Sequence, residues 1–533
     1  MSFDALLIAD SGVDSVSGTS PLKLKLGGKN ATIQVVQNFL ENRGHIRFPI
    51  ENDGTMSWSS SPGYNGIYLL SYLKKKKLQV ELIDNYSNER DSFLKLLQQT
   101  PRTIIISTTF IYHKNALREL IEDIRSFAPN VFIIVGGPFV YFSYLMFQRC
   151  NEKNFDTTSA KNDFLFLDIN NEPNADLYII SPRGERLLCE VINRIKLNRS
   201  IDDIPNSAQL KEGNYFFTKH TDNISDEEEL LVDWESLPDT VFKSGVIPMQ
   251  ASNGCPYHCA FCNFTKDRRF AFIKPVDRLI TELKTVSSRG ARYVWFVDDN
   301  FRLGRGDLNA VCRRLVDEDI SIRWMSFIRA SSLIDVDTEL LRQAGCIEVQ
   351  LGLESADPQI LHNMNKKSSP KMYAKVIKKL LASGINCSCY FIFGFPGETN
   401  ETAYRTRKFI KDMEYPELDG ILTWSIFPFL LAPMSPIYEY KLRNKYGLKG
   451  YMQNWKHQTM GSDQAMEQVK KTFLELENSG AIYRDDNLEL LGQLTPQQRK
   501  KFVACRQILS KSAMKEPTKD HIIFESFSKV LAE

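Results

Sequence analysis

Three absences bound this 533-residue chain before any motif does. None of its ten cysteines falls within residues 1–149, which excludes a thiolate-ligated cluster from that stretch. No window reaches the roughly 18 uninterrupted apolar residues that would span a bilayer. The opening MSFDALLIAD also lacks a basic region followed by a long apolar core. The expectation is therefore a cytoplasmic protein with no membrane partner. Charge of one sign is missing too: 67 basic and 65 acidic residues leave a net +2, too weak a field to draw nucleic acid. The one dense basic block, Lys74 to Lys77, reads as the solvated end of a helix.

What is present is enough apolar residue, 43% of the chain, to fill several cores. The first region alternates apolar strands with amphipathic helices. Strands are expected at Ala5–Ala9, Gln79–Ile83, Thr103–Thr108, Val131–Val135 and Asp176–Ile180, with helices at Gly66–Leu73 and Glu185–Ile195. Leu117, Leu120, Ile121 and Ile124 recur at i, i+3, i+4 and i+7, one apolar stripe of a helix lying on a sheet. This order implies a doubly wound, flavodoxin-like α/β domain over residues 1–205, after a polar insertion at 10–64. Such domains bind ligands beyond the carboxyl ends of their strands. Ser107 and Thr108, and the pair Gly136 and Gly137, occupy two such ends. They offer hydroxyls and bare backbone where a large flat ligand or a phosphate can approach; taken alone they are also ordinary turn chemistry.

Residues 206–245 lose periodicity, carry the acidic run Asp226 to Glu229 and read as a linker. A second strand–helix series follows over 246–434. Its strands are expected at Ile247–Ala251, Tyr293–Val297, Ile322–Ile328, Ile347–Leu351, Cys389–Phe393 and Ile421–Phe427. Six such units imply a partial or full (β/α) barrel, read as a partial (β/α)6 barrel, with its site at the strands' C-terminal ends. Residues 435–533 show no clear strands and read as a mainly helical cap. There, Thr495-Pro496-Gln497-Gln498 is a capping box opening a helix.

The segment Gly254-Cys255-Pro256-Tyr257-His258-Cys259-Ala260-Phe261-Cys262 puts three cysteines on the loop after the first strand of that second series. Structural zinc wants a fourth Cys or His at paired spacing, and no second CxxC pair follows. A redox dithiol needs two thiols only. Three thiolates fit a [4Fe–4S] cluster with one iron left open, a departure from four-cysteine ligation. The other seven cysteines are dispersed, as in a reducing compartment. Cys387 and Cys389 share one strand face and read as small core residues.

The loop resembles that of the radical S-adenosylmethionine enzymes, whose C-x3-C-x2-C pattern with an aromatic before the last cysteine matches Cys255, Cys259, Phe261 and Cys262. Gly352-Leu353-Glu354-Ser355 is similar to the family's contact for the cofactor's ribose and amino-acid part. Phe391 to Glu398 is similar to its adenine-side motif, with Gly394 the matching position and the spacing to Glu398 one residue off. Asp298-Asp299-Asn300-Phe301 and Met364-Asn365-Lys366 fall where such barrels carry similar strings. Arg329, after the third strand, is a candidate partner for the cofactor's carboxylate or ribose. The resemblance implies that S-adenosylmethionine binds the open iron and is cleaved by one electron to methionine and a 5′-deoxyadenosyl radical.

A doubly wound domain ahead of such a barrel resembles the cobalamin-dependent members of the family, and Ser107, Thr108, Gly136 and Gly137 fall at the matching strand ends. The chain lacks the Asp-x-His-x-x-Gly motif for a lower histidine ligand. The resemblance implies three cofactors: a [4Fe–4S] cluster on Cys255, Cys259 and Cys262, S-adenosylmethionine, and cobalamin. The expected activity is methyl transfer to an unreactive carbon or phosphorus of a small molecule or peptide, with an electron donor such as flavodoxin or ferredoxin. The alternative is rearrangement, cyclisation or oxidation without methylation; a non-catalytic cobalamin sensor is argued against by the intact three-cysteine loop. Tyr390, Trp424 and Phe427 are the legible substrate candidates, against a reading as barrel core.

Overall fold

The computed structural model describes residues 3–10, 12, 25–26, 29–30, 56–169, 172–221, 231–263, 272–303, 308–482, 484 and 488–515. It divides into two compact units, one of residues 1–17 and 62–241, the other of residues 18–61 and 242–533.

In the first unit the parallel strands are β1 (Ala5–Ile8), β2 (Val80–Ile83), β3 (Thr103–Ser107), β4 (Phe132–Gly136) and β5 (Leu177–Ile179). They lie in the order β2-β1-β3-β4-β5, the flavodoxin-like arrangement, with the topological switch between β1 and β3. Ile104, Ile105 and Ile106 are all buried, because helices cover both faces of a parallel sheet and force its central strands to be apolar throughout. The helix Lys114–Phe127 buries Leu117, Leu120, Ile121 and Ile124 as its periodicity requires. Lys74 and Lys75 end the helix Tyr64–Lys75, and the basic run lies largely in solvent.

The linker expectation for 206–245 needs correcting. Residues Ser207–Lys211 (β6) and Asn214–Phe217 (β7) extend the same sheet as an antiparallel hairpin, β6 pairing with β5. The hairpin is illegible in the sequence because Glu212-Gly213 makes a tight turn inside a polar stretch. Both residues adopt positive φ there, +51° and +76°. The acidic run Asp226 to Glu229 lies outside the described residues.

The second unit holds seven described parallel strands in chain order: β8 (Val246–Met249), β9 (Tyr293–Phe296), β10 (Arg323–Phe327), β11 (Cys346–Glu354), β12 (Asn386–Phe393), β13 (Leu422–Pro428) and β14 (Gly480–Ala481). β8 and β14 do not pair, so the barrel is partial. Met56 and Trp58, from the expected insertion, pack with Val246, Tyr293, Met325 and Leu488 in one core cluster of this unit. The tail also departs from expectation. It supplies β14 and a hairpin, Lys449–Tyr451 with Asn454–Lys456, each too short for an alternating pattern to register. Its capping box forms as expected, Thr495 N–H donating to Gln498 Oε1 at 3.0 Å and Gln498 N–H to Thr495 Oγ1 at 3.3 Å, and opens the helix Pro496–Lys515. Among the described residues no helix is long and apolar enough to cross a membrane.

Candidate functional site

The cysteine loop leaves β8 and is fixed at both ends. At its entry Asp298, just past β9, accepts hydrogen bonds from Ala251 N–H (3.1 Å), Ser252 N–H and Ser252 Oγ (2.6 Å). Burial pushes its carboxyl up to about 6 although these donors pull the other way. Asp299 accepts from Gly254 N–H at 3.2 Å, and Arg302 donates to the Asn253 and Gly254 carbonyls at 3.1 and 2.8 Å. At its exit Ala260 N–H donates to the Met364 carbonyl, Asn365 Nδ2 to the His258 carbonyl and Ile437 N–H to the Ala260 carbonyl, each at 2.8 Å. The strings at 298–301 and 364–366 thus act as two clamps on one loop.

Cys259 is buried, while Cys255 and Cys262 are partly exposed. Arg329 lies beside them, its guanidinium 3.6 Å over the Tyr257 ring and Nη1 3.9 Å from Cys259 Sγ, and it donates to the Lys366 carbonyl. Among the described residues no three Cys, His, Asp or Glu side chains converge as a finished metal cage. The loop's backbone is fixed by its bonds to Asp298, Asp299 and Asn365.

Glu354 ends β11 with φ +66°, a left-handed conformation that costs an ordinary residue about 1 kcal/mol or more. Its carboxylate meets Lys366 Nζ at 2.8 Å, both side chains about nine-tenths buried. Removing one partner of such a pair leaves a buried charge and costs about 3–5 kcal/mol. A Cβ at Gly352 would stand 2.8 Å from Glu354 Oε1 and 3.3 Å from Lys366 Nζ, so a larger residue there would press on the pair. Lys366 Nζ also lies 6.0 Å over the Phe261 ring. Glu354, Lys366, Phe261, Arg329 and Cys259 therefore form one group. Ser355 is fully buried, its hydroxyl bonded to Thr406 Oγ1 and accepting from Asp357 N–H. That hydroxyl builds the turn rather than facing the loop.

Past β12, Gly394 has φ +91°, and an added Cβ would fall 2.3 Å from Trp455 Cη2. Trp455 stacks on His457, whose Nε2 is 3.0 Å from the Gly394 carbonyl oxygen. Phe395 meets Phe261 edge-on at 6.5 Å, tying this segment to the cysteine loop. Glu398 accepts from Gly394 N–H through Oε2, while its Oε1 is buried without a donor. Burial pushes its carboxyl up to about 8, against a free value near 4.5. The native state therefore holds a proton that the unfolded chain loses above that lower value, so stability falls as pH rises from about 5 to 8. Glu398→Gln, which keeps the acceptor and cannot ionise, should flatten this decline in thermal unfolding measured across that range; an unchanged slope would refute the assignment.

In the first unit Ser107 and Thr108 end β3 and leave it. Ser107 Oγ accepts from Asn65 Nδ2 at 2.9 Å, and the same amide donates to the Ala9 carbonyl at 2.8 Å, bridging β1 and β3 at the switch. Asn65 Oδ1 is buried with no donor. The Thr108 hydroxyl donates to the Gly136 carbonyl at 2.9 Å and is engaged within the turn. Gly137 has φ +113° and room for a Cβ only 3.0 Å from Thr108 Oγ1, whereas at Gly136 a Cβ would meet only Ile179 at 3.5 Å. Phe110 and Tyr112, just beyond, are 38% and 47% exposed.

Among the substrate candidates, Trp424 is core: fully buried, it donates to Ser479 Oγ at 2.8 Å. Tyr390 lies 5.0 Å from Phe327, ring to ring, and its hydroxyl accepts from Arg484. Phe427 is half-buried. Cys387 and Cys389 are buried, and burial raises both thiols, as expected of core residues. The strings holding Asp298 and Lys366 stand out in the sequence, but nothing in it assigns either residue a task. Sequence reasoning misses Arg302, Asn65 and Arg484, whose partners lie far off in the chain.

Residues 249–410 match the radical SAM superfamily model. The chain carries a radical SAM domain. That domain begins at the last residue of β8 and takes in the cysteine loop, Glu354 and Gly394. Along 411 residues an uncharacterised methyltransferase of Pyrococcus horikoshii is 24% identical, covering 74% of this chain and 81% of that protein. The anaerobic magnesium-protoporphyrin IX monomethyl ester cyclase of Rubrivivax gelatinosus is 26% identical over 267 residues, 47% of each chain. The structure of the radical S-adenosylmethionine methyltransferase TsrM from Kitasatospora setae, with cobalamin and a [4Fe–4S] cluster bound, aligns with TM-score 0.52 at 16% identity, over 82% of this chain and 74% of that one. At that identity the likeness is one of fold.

Proposed function

We propose that this radical SAM enzyme is a cobalamin-dependent methyltransferase acting on an unreactive carbon or phosphorus of a small molecule or peptide, in specialised metabolism. One observation carries the reading: three cysteines stand on one loop clamped at both ends, beside the Glu354–Lys366 pair. Cys255, Cys259 and Cys262 would hold a [4Fe–4S] cluster. Their donor chemistry fits, since three thiolates leave one iron for a cofactor, and Cys255 and Cys262 are partly exposed. Glu354, Arg329 and Gly394 would bind and orient S-adenosylmethionine, and Phe261 would wall its site.

The first unit fits cobalamin at its switch point. Asn65 Oδ1 is a buried acceptor with no donor, and the amide side chains of a corrin are donors. The likeness in fold to TsrM, whose structure holds cobalamin and a [4Fe–4S] cluster, agrees with this assignment. When bound, these groups would supply a radical from one S-adenosylmethionine and carry the methyl group of another.

The test is stoichiometry. With substrate and a flavodoxin or ferredoxin as electron donor, each turnover should yield one S-adenosylhomocysteine and one 5′-deoxyadenosine, with a product one CH₂ heavier. S-adenosylhomocysteine without deoxyadenosine would keep methyl transfer and remove the radical step. Deoxyadenosine without S-adenosylhomocysteine would favour the second reading, cyclisation, rearrangement or oxidation, which the likeness to the cyclase supports.

A further inference from the structure

The second unit contains a cavity of about 580 Å³ at the end of the barrel opposite the cysteine loop. Its lining includes Arg323, Cys346 and Asn386, the first residues of β10, β11 and β12, and it is roofed by the tail helices that contain Leu491 and Arg499. The volume lies within the roughly 300–1,000 Å³ usual for small-molecule sites.

Among the described lining residues, four arginines stand with three carboxylates. Arg342 and Glu339 face each other at 3.9 Å on the exposed rim. Arg323, Arg484 and Arg499 form no ion pair with a carboxylate among the described residues. Arg323 reaches the Tyr293 hydroxyl at 3.4 Å. Arg484 lies over the Trp295 ring, donates to the Tyr390 hydroxyl, and comes within 2.8 and 2.9 Å of the Gln350 amide oxygen in that amide's satisfied orientation. Arg499 Nε is buried with no acceptor among the described residues. Of the two remaining acids, Glu348 accepts from Ser388 Oγ at 2.6 Å, and Asp419 acts on Arg499 without an ion pair. Guanidinium forks are donors only, and their planar geometry matches oxyanions bidentately.

We propose that this cavity is a second ligand site, taking a small oxyanion, a carboxylate or phosphate group, with Arg499 as its anchoring donor. It is built into the barrel end away from the chemistry, so its ligand is distinct from the reacting substrate.

Purified full-length protein is titrated separately with inorganic phosphate and with citrate, following thermal unfolding against sodium chloride of equal ionic strength. One of them should raise the midpoint saturably, and which one does so separates a phosphorylated ligand from a carboxylic acid. Arg499→Gln should weaken that anion about tenfold or more, and Arg499→Lys, which keeps the charge but loses the fork, should weaken it too. Arg342→Gln at the rim should not. Should Arg499→Gln fail to fold, Arg499→Lys decides. No saturable shift, or equal shifts in wild type and both Arg499 variants, overturns the site. Iron loading does not enter this titration, so its failure would leave the proposed activity untouched.

Discussion

Replacing Cys255, Cys259 or Cys262 with alanine should abolish 5′-deoxyadenosine formation and lower bound iron, while the rest of the fold survives. The two outcomes separate because the loop's shape does not depend on its thiols. It rests on backbone bonds to Asp298, Asp299 and Met364, and on Arg302 and Asn365. Removing one sulfur from three leaves two ligands for a cluster that needs at least three from the protein. The expected loss is complete rather than graded, read by deoxyadenosine assay and iron content after anaerobic reconstitution. Retention of full cleavage by any of the three variants would remove that cysteine from the site.

Gly394→Val should be the most damaging change outside the loop. A side chain there must adopt φ +91° and occupies space 2.3 Å from Trp455 and 2.7 Å from Ala465 Cβ. The backbone and overpacking costs together come to about 3 kcal/mol or more. Relief would push Trp455 off His457 and free the Gly394 carbonyl. The segment facing Phe261 would then shift, so weakened S-adenosylmethionine binding should accompany lowered thermal stability. Wild-type stability in Gly394→Val would refute this packing account.

Much of the molecule is legible in the sequence because it is local. The buried isoleucine run of β3, the apolar stripe at 117–124 and the six expected barrel strands each follow from short periodicities, and the structure bears them out. The three-cysteine spacing is equally local. What escapes depends on long-range pairing. The two-residue β14 and the 207–217 hairpin are decided by the neighbour they join rather than by their own alternation. Lys366 carries no sequence sign that it neutralises Glu354, nor Asp298 that it holds the start of the cysteine loop. Such tasks appear only when the clamps meet in space.

The central claim is that S-adenosylmethionine reaches the iron that the three cysteines leave open. Electron paramagnetic resonance of the reduced, reconstituted protein, recorded with and without S-adenosylmethionine, measures this. A changed cluster signal on adding the cofactor is the predicted result, and the Cys255, Cys259 and Cys262 variants should lack it. A strong reduced-cluster signal that S-adenosylmethionine leaves unaltered would contradict the claim.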